Sequence, residues 1–272
     1  MIVEAPAKLN LCLYVGPRRE DGLHELVSLF EPLELADRLE VSEADSDRVI
    51  CEGVEGPDLT ARALAALRDA GWERPPIRIE TRKRIPVAAG LGGGSADAAA
   101  VLRMARGEVE GLPEIAAGLG ADVPSQLDPC PSLVTGAGDR VEPIEPPPPL
   151  GVVLVPQGEG LSTADVYDEA DRLGLPREPG ELGALEDRLR MAAGDGASPL
   201  DYPELLVNDL QPAALSLRPE LEGVIEAVLE AGAAHAGMAG SGPTAFGLFA
   251  DPGGVPDLSD RFGSAIATRS LR

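Results

Sequence analysis

Basic residues are scarce in this chain: 23 lysines and arginines stand against 46 aspartates and glutamates, a formal net charge of −23 at pH 7. A field of that sign repels nucleic acid and anionic membrane, and no basic stripe interrupts it. It also repels nucleotides, so a phosphate site must bring its own cations or a metal. Arg18-Arg19 and Arg82-Lys83-Arg84 are the basic clusters available. Cysteine is equally sparse. Cys12, Cys51 and Cys130 are an odd number without a C-x-x-C spacing, which argues against a disulfide framework and a zinc knuckle and fits a cytoplasmic chain. Two histidines, His24 and His235, are too few for a histidine-rich metal centre. No apolar run approaches the length of a membrane span, and residues 1–10 lack the basic and apolar regions of a signal peptide. Aromatic residues amount to 3%, so the core must rest on Leu, Val, Ile and Ala within an apolar fraction of 44%. At 272 residues that is enough for one large domain or two modest ones.

Glycine, by contrast, is concentrated. In IPVAAGLGGGSADAAAVLRM (85–104), Gly90, Gly92, Gly93 and Gly94 crowd together and run into a strongly helical stretch, with Ser95 as the expected N-cap. A glycine loop feeding a helix start presents free N–H groups and the positive end of the helix dipole, which suits phosphate. Ser95-Ala96 stands where a Walker A loop needs Lys-Ser/Thr, and Ser95 also breaks the dinucleotide fingerprint. The run from Gly240 to Ala245 fits G-x-G-x-x-A formally, but it precedes a strand-like segment and carries Pro243 at the expected helix start.

Leu9, Leu11, Leu13 and Val15 alternate with Lys8, Asn10, Cys12 and Tyr14, which predicts a strand with one buried face and a lysine and an amide side by side on the other. HELVSLFEPLEL and DRLEVSEA read as strand-like. DLTARALAALRDA (58–70) predicts a helix opened by Asp58 and stopped by Gly71. PPIRIETRKRIP alternates Ile77, Ile79 and Thr81 against charged partners, a strand that delivers the chain into the glycine loop. A helix over 95–106 follows, then a short one in PEIAAGLG. EPPPPL (145–150) is the expected junction between domains at 1–145 and 150–272, because consecutive prolines stiffen the backbone. Beyond it come a buried strand (GVVLV), a capped helix (STADVYDEADRL), irregular helical pieces over the Gly- and Pro-rich 173–200, a helix (LEGVIEAVLEAGA) and a glycine turn into a strand (GMAGSGPTAFGLFAD). Strands mixed with helices without a strict βαβ repeat indicate α+β. Taken alone, Asp122 before Val123-Pro124 reads as a helix cap and Lys8 as a solvated strand lysine.

Three blocks, PAKLNLCLYVG (6–16), PVAAGLGGGSADAAA (86–100) and AGSGPTAFGLF (239–249), resemble the GHMP kinase superfamily. REDGLHEL (19–26), GADVPSQL (120–127), VTGAGDRVEP (134–143), STADVYDEAD (162–171) and VNDLQPAA (207–214) narrow the resemblance to the branch acting on a cytidine diphosphate-linked methylerythritol in the non-mevalonate route to isopentenyl diphosphate. It spans nearly the whole chain in order. It implies a two-domain α+β fold, with an N-terminal mixed-sheet ATP domain and a C-terminal ferredoxin-like α/β sandwich. It implies phosphoryl transfer from ATP, with Mg²⁺, to a tertiary 2-hydroxyl, in a cytoplasmic monomer or homodimer whose partners are small molecules.

The same resemblance makes Asp122 the base and Lys8 its partner. Pro86, Val87, Ala88, Ala89, Gly90, Leu91, Gly92, Gly93, Gly94, Ser95 and Ala96 would wrap the ATP phosphates, with Ser95 the candidate metal ligand. Asn10, His24 and Lys83 would bind substrate, Lys83 near its diphosphate. One departure is plain: Leu23 stands where the family usually has an aromatic, and Tyr14, Phe30 and Tyr167 are the other rings available. The alternatives are another GHMP small-molecule kinase, of the homoserine or mevalonate type, and a nucleotide-binding relative without catalysis.

Overall fold

A computed structural model describes residues 1–51, 58–158 and 161–272. Two compact units emerge, one formed by Met1–Ala7, Leu35–Val87 and Gly92–Pro129, the other by Lys8–Glu34, Ala88–Leu91 and Cys130–Arg272. Strands β1 (Ile2–Arg18) and β2 (His24–Glu43) contribute residues to both. Among the described residues no helix is long and apolar enough to cross a membrane.

In the first unit, β3 (Arg48–Cys51) lies parallel to β4 (Ile77–Arg82), which pairs antiparallel with residues 38–43 of β2. Period-two alternation in β4 turns Ile77, Ile79 and Thr81 inward and Arg78 and Arg82 outward, as the sequence predicts. Helix α1 (Leu59–Asp69) is capped where expected: the Asp58 carboxylate accepts the N–H of Thr60 at 2.9 Å, and Gly71 beyond its end adopts φ +88°. It packs on α2 (Gly93–Arg103), with Ala63, Leu64 and Leu67 against the buried run Ala98–Leu102 and against Leu39, Ile77 and Ile79 of the sheet. A helix buried on nearly every side needs small residues to let its neighbours approach, and alanine supplies them. The predicted start of α2 is corrected. Its N-cap is Gly92, in the left-handed region at φ +69°, and Ser95 lies inside the first turn. Only a residue without a Cβ makes that entry cheaply, so the glycines carry the helix start upstream of the polar cap residue. The end is corrected too: after Arg103 the chain tightens into i→i−3 bonds and leaves the helix. Helix α3 (Leu112–Leu119) completes the unit, whose single tryptophan, Trp72, donates to Glu108 at 3.0 Å.

In the second unit, a turn closed by Arg19 N–H to Leu23 O joins β1 to β2. The two strand-like pieces expected over 24–43 are one strand. It runs through Pro32, whose carbonyl takes the N–H of Leu271 at 2.8 Å. Residues 26–30 of β2 pair antiparallel with β5 (Ser132–Gly136), which pairs with β6 (Arg140–Pro143). The alternation in β1 predicted one buried face, whereas Lys8, Asn10, Cys12 and Tyr14 are buried as fully as the leucines between them.

A second sheet holds β7 (Gly151–Val155), β8 (His235–Met238), β9 (Ala245–Phe249) and β10 (Ile266–Arg269), all antiparallel, with β7 between β10 and β9 and with β8 outermost. That order is ferredoxin-like, as the resemblance implies. Helices α4 (Thr163–Leu173) and α6 (Gln211–Leu217) bury Val166, Ala170, Ala213 and Ala214 against Leu13 and Val15, while α7 (Glu220–Glu230) lays Val224, Ile225 and Val228 on the second sheet. The segment expected to be irregular contains a regular helix, α5 (Pro179–Ala193), preceding α6. Its proline sits at N1, Glu178 and Glu181 form a capping box, and Gly180 and Gly183 meet no packed neighbour. Helix α8 (Ser259–Phe262) precedes β10.

Glu31 sits in this unit at 1% exposure, its carboxylate accepting from Arg272 at 2.7 Å. Burial pushes it up to about 7, against the downward pull of Arg272. The folded protein therefore holds a proton that the unfolded chain releases, and stability falls as pH rises from about 4.5 through 7. Glu31→Gln should flatten that fall and raise stability at pH 8 by about 1–3 kcal/mol, read from denaturant midpoints at pH 5 and 8. An unchanged pH slope would show that Glu31 is already ionised at pH 5.

Candidate active site

Strand geometry puts side chains two residues apart on one face, and β1 thereby places Lys8 beside Asn10. Lys8 Nζ donates to Asn10 Oδ1 at 2.6 Å, Asn10 Nδ2 to Ser28 Oγ at 2.9 Å, and Ser28 Oγ to the Cys12 carbonyl at 2.5 Å. Because the amide nitrogen is committed to Ser28, its oxygen must face the ammonium. Lys8 also lies over the Phe30 ring, 4.6 Å from the centroid, and is 6% exposed.

The backbone of Lys8 carries the next contact, its N–H bonding the carbonyl of Leu91 at 3.1 Å. Residues 88–91 are conformationally unusual: Ala88, without being glycine, has φ +53°, and Gly90 has φ +76°. A Cβ on Gly90 would overlap the carbonyl oxygen of Ala239, so this part of the loop rests directly on the turn between β8 and β9. That turn is closed by Ala239 N–H to Thr244 O at 2.9 Å and Gly242 N–H to Ala239 O at 2.8 Å. Asn208 holds it, donating through Nδ2 to Met238 O and Gly240 O, each at 2.8 Å. Asp209 anchors the same segment to β1, bonding Val15 N–H at 3.1 Å and pairing bidentately with Arg177 at 2.6 and 2.7 Å. The glycine run 240–242 is thus a support for the loop.

His24, expected to bind substrate, is buried at 7% exposure. Its Nδ1 lies 3.0 Å from the Gly16 carbonyl and its Nε2 3.4 Å from Asp171, with the Tyr167 ring 5.1 Å away. Leu23 is 51% exposed. Of the three alternative rings, Tyr14 is buried with its hydroxyl on Leu205 O and Phe30 is buried under Lys8, which leaves Tyr167 beside the histidine.

In the first unit Lys83 is turned inward at 14% side-chain exposure, its ammonium on Asp37 and, at 2.7 Å, on Asp97 of α2. Burial pushes Asp97 up to about 7, and Asp37 adds to this against the pull of Lys83. For Lys83 burial works against the charge, but the two carboxylates outweigh it and hold its pKa above the ordinary lysine value. Asp122 lies between α3 and a 3₁₀ turn (Pro124–Gln126) whose N-cap position is Val123, one residue beyond it. Three other cations of these clusters carry carboxylate partners: Arg82 meets Glu40 at 3.1 Å, Arg19 meets Asp21 and Glu25 at 3.1 Å, and Arg18 lies 3.9 Å from Asp168 and Asp171.

Within the second unit, then, Lys8, Asn10 and loop residues 88–91 share one hydrogen-bonded patch. Within the first, Lys83 reaches the start of α2, where a Cβ on Gly93 would come within 3.3 Å of its ammonium. Asn208, Asp209, Ser28, Asp37 and Asp97 are the participants that motif reading did not single out. A signal for some of them exists: the chain has just two asparagines, Asn10 and Asn208, and two lysines, Lys8 and Lys83.

Comparison with known proteins agrees with this architecture. Family models for the GHMP kinases N terminal domain and the GHMP kinases C terminal match residues 58–124 and 187–267. A 4-diphosphocytidyl-2-C-methyl-D-erythritol kinase of Pelotomaculum thermopropionicum is 41% identical over 95% of this chain and 92% of its own length. One from Rhodococcus jostii is 37% identical over 100% of this chain and 91% of the relative. The chain belongs to the 4-diphosphocytidyl-2-C-methyl-D-erythritol kinase family of the GHMP kinases. A crystal structure of 4-(cytidine 5'-diphospho)-2C-methyl-D-erythritol kinase superposes with a TM-score of 0.78 at 36% identity, covering 100% of both chains. Membership in this kinase family bears out the expected enzyme class and the α+β architecture.

Proposed function

We propose that this chain transfers the γ-phosphoryl group of ATP to the tertiary 2-hydroxyl of 4-diphosphocytidyl-2-C-methyl-D-erythritol, giving ADP and the 2-phosphate on the way to isopentenyl diphosphate. The observation that carries this reading is the likeness, 41% identical over 95% of the chain, to a kinase named for that substrate. Phosphoryl transfer demands positioning and charge stabilisation more than covalent chemistry, and the residues supply both. Asp122 accepts the hydroxyl proton, and Lys8, oriented by Asn10, stabilises the alkoxide as it develops. Residues 86–96 hold the triphosphate through backbone N–H groups and the N-terminus of α2. His24 and Asn10 recognise the cytosine edge and the hydroxyl region. Among the described residues no group of three His, Cys, Asp or Glu side chains could hold a metal, which fits an ion carried mainly by phosphate oxygens. Ser95, in the first turn of α2, is the hydroxyl suited to hold it. Magnesium bound there with ATP would neutralise phosphate charge. We place the domain division at the proline run 145–150, which lies between the two family models, while the second compact unit runs unbroken from Cys130 to Arg272.

Purified protein with ATP, Mg²⁺ and the cytidylated alcohol is expected to release ADP. Turnover with homoserine or mevalonate in its place would move the chain to another kinase type. ATP binding without turnover of any acceptor would make it a non-catalytic relative.

A further inference from the structure

We propose that Lys83 is a positioning residue for the nucleotide loop, clamped between Asp37 and Asp97, and not a contact to the diphosphate of the cytidylated substrate. This inference rests on the kinase reading above. The loop enters from Lys83–Ile85 and leaves through the first turn of α2, and both ends converge on one ammonium. On the entry side Asp37 is fully buried: its Oδ2 meets Lys83 Nζ, while its Oδ1 accepts the N–H groups of Arg84 at 2.5 Å and Ile85 at 2.8 Å. On the exit side Asp97 of α2 takes the same ammonium at 2.7 Å. Lys83 therefore ties a carboxylate on β2 to a carboxylate on α2 and fixes the spacing of the two stems.

Three observations favour the clamp. Burying three charges costs free energy unless the geometry is good, and a solvated arginine, the cation this chain uses almost everywhere else, would have sufficed for an outward contact. Gly93 also sits against the ammonium: an ideal Cβ there would lie 3.0 Å from Ile85 Cγ2 and 3.3 Å from Lys83 Nζ, so the start of α2 closes over the entry stem and its lysine. Finally, Asp97 Oδ1 is buried without a hydrogen-bond partner among the described residues, so the bond from Lys83 to its other oxygen is the one that holds this carboxylate. Without the ammonium, two buried carboxylates would face each other uncompensated.

The test is calorimetric, with a non-hydrolysable ATP analogue and the cytidylated alcohol titrated separately into the full-length protein. Asp97→Asn keeps an acceptor for Lys83 and removes the charge. Lys83→Arg keeps the charge but replaces the compact ammonium shared by the two carboxylates with a bulkier, planar guanidinium. Each variant is expected to bind the ATP analogue about tenfold more weakly, with affinity for the cytidylated alcohol kept within about twofold. Loss concentrated on the cytidylated alcohol would overturn the proposal and return Lys83 to substrate binding. So would equal losses for both ligands, or none for either. Should Asp97→Asn fail to fold, Lys83→Arg decides by the same outcomes. Wild-type protein that binds neither ligand would overturn the kinase reading, and the clamp's purpose with it.

Discussion

Asp122→Asn is expected to lower kcat by about 10²–10⁴-fold, the contribution typical of a positioned general base. The substitution is nearly isosteric, and it removes the proton acceptor while keeping hydrogen-bonding capacity. The surrounding backbone argues that the variant will fold. Helix α3 closes at Gly120, the N–H of Val123 returns to the Gly120 carbonyl at 3.1 Å, and the Val123 side chain is fully buried. Ser125 Oγ then bonds the Asp122 carbonyl at 2.8 Å, and Gln126 N–H bonds Val123 O at 3.1 Å. Those bonds use main-chain atoms of residue 122 and its neighbours, so they survive the change of side chain. A cap residue replaced by Asn would in any case keep its function, since Asn caps about as well as Asp. The measurement is kcat with both substrates saturating, alongside a thermal melt. A folded variant turning over within about threefold of wild type would take Asp122 out of the role of base.

The features legible in the sequence are those whose cause lies within a few residues. The alternation of Ile77, Ile79 and Thr81, the Asp58 cap of α1 and the glycine turn before β9 all follow from local patterning. The misses depend on distant partners. Ala36 reads as the gap between two strand-like pieces, whereas β2 runs through it as one strand. Lys83 within Arg-Lys-Arg reads as solvated, because nothing nearby shows that Asp37 waits beneath it. Polar residues alternating in β1 read as a wet face, since the elements that cover them come from elsewhere in the second unit. Helix α5 was obscured by Gly180 and Gly183, which weaken helix propensity without preventing a helix that packs through Leu182 and Leu189. Residue scarcity was the stronger clue. Lysine and asparagine appear twice each, and Lys8, Lys83, Asn10 and Asn208 all orient or support the proposed site.

Lys8→Met is expected to lower kcat by about 10²–10³-fold while the chain still folds. The two halves of that expectation have separate causes. In the proposed role the ammonium would stabilise charge only as the alkoxide and the transferring phosphoryl group develop it, so its loss should fall on kcat more than on substrate binding. In the ground state the same ammonium is largely desolvated. At 6% exposure, on a strand buried on both faces, it has given up most of its hydration, and the Asn10 carbonyl at 2.6 Å and the Phe30 ring offset part of that cost. Methionine has similar length and no desolvation cost, so it fits the channel between Asn10 and Phe30. The price is an Asn10 oxygen deprived of one donor, held in place because its amide nitrogen remains tied to Ser28 at 2.9 Å. A strand selected for stability alone would carry an apolar residue here, and a site that sacrifices stability for charge is the pattern of a functional group. Steady-state kinetics and a melt separate the outcomes: a lower melting temperature with near-normal kcat would make Lys8 a structural cation and move the stabilising charge to another residue.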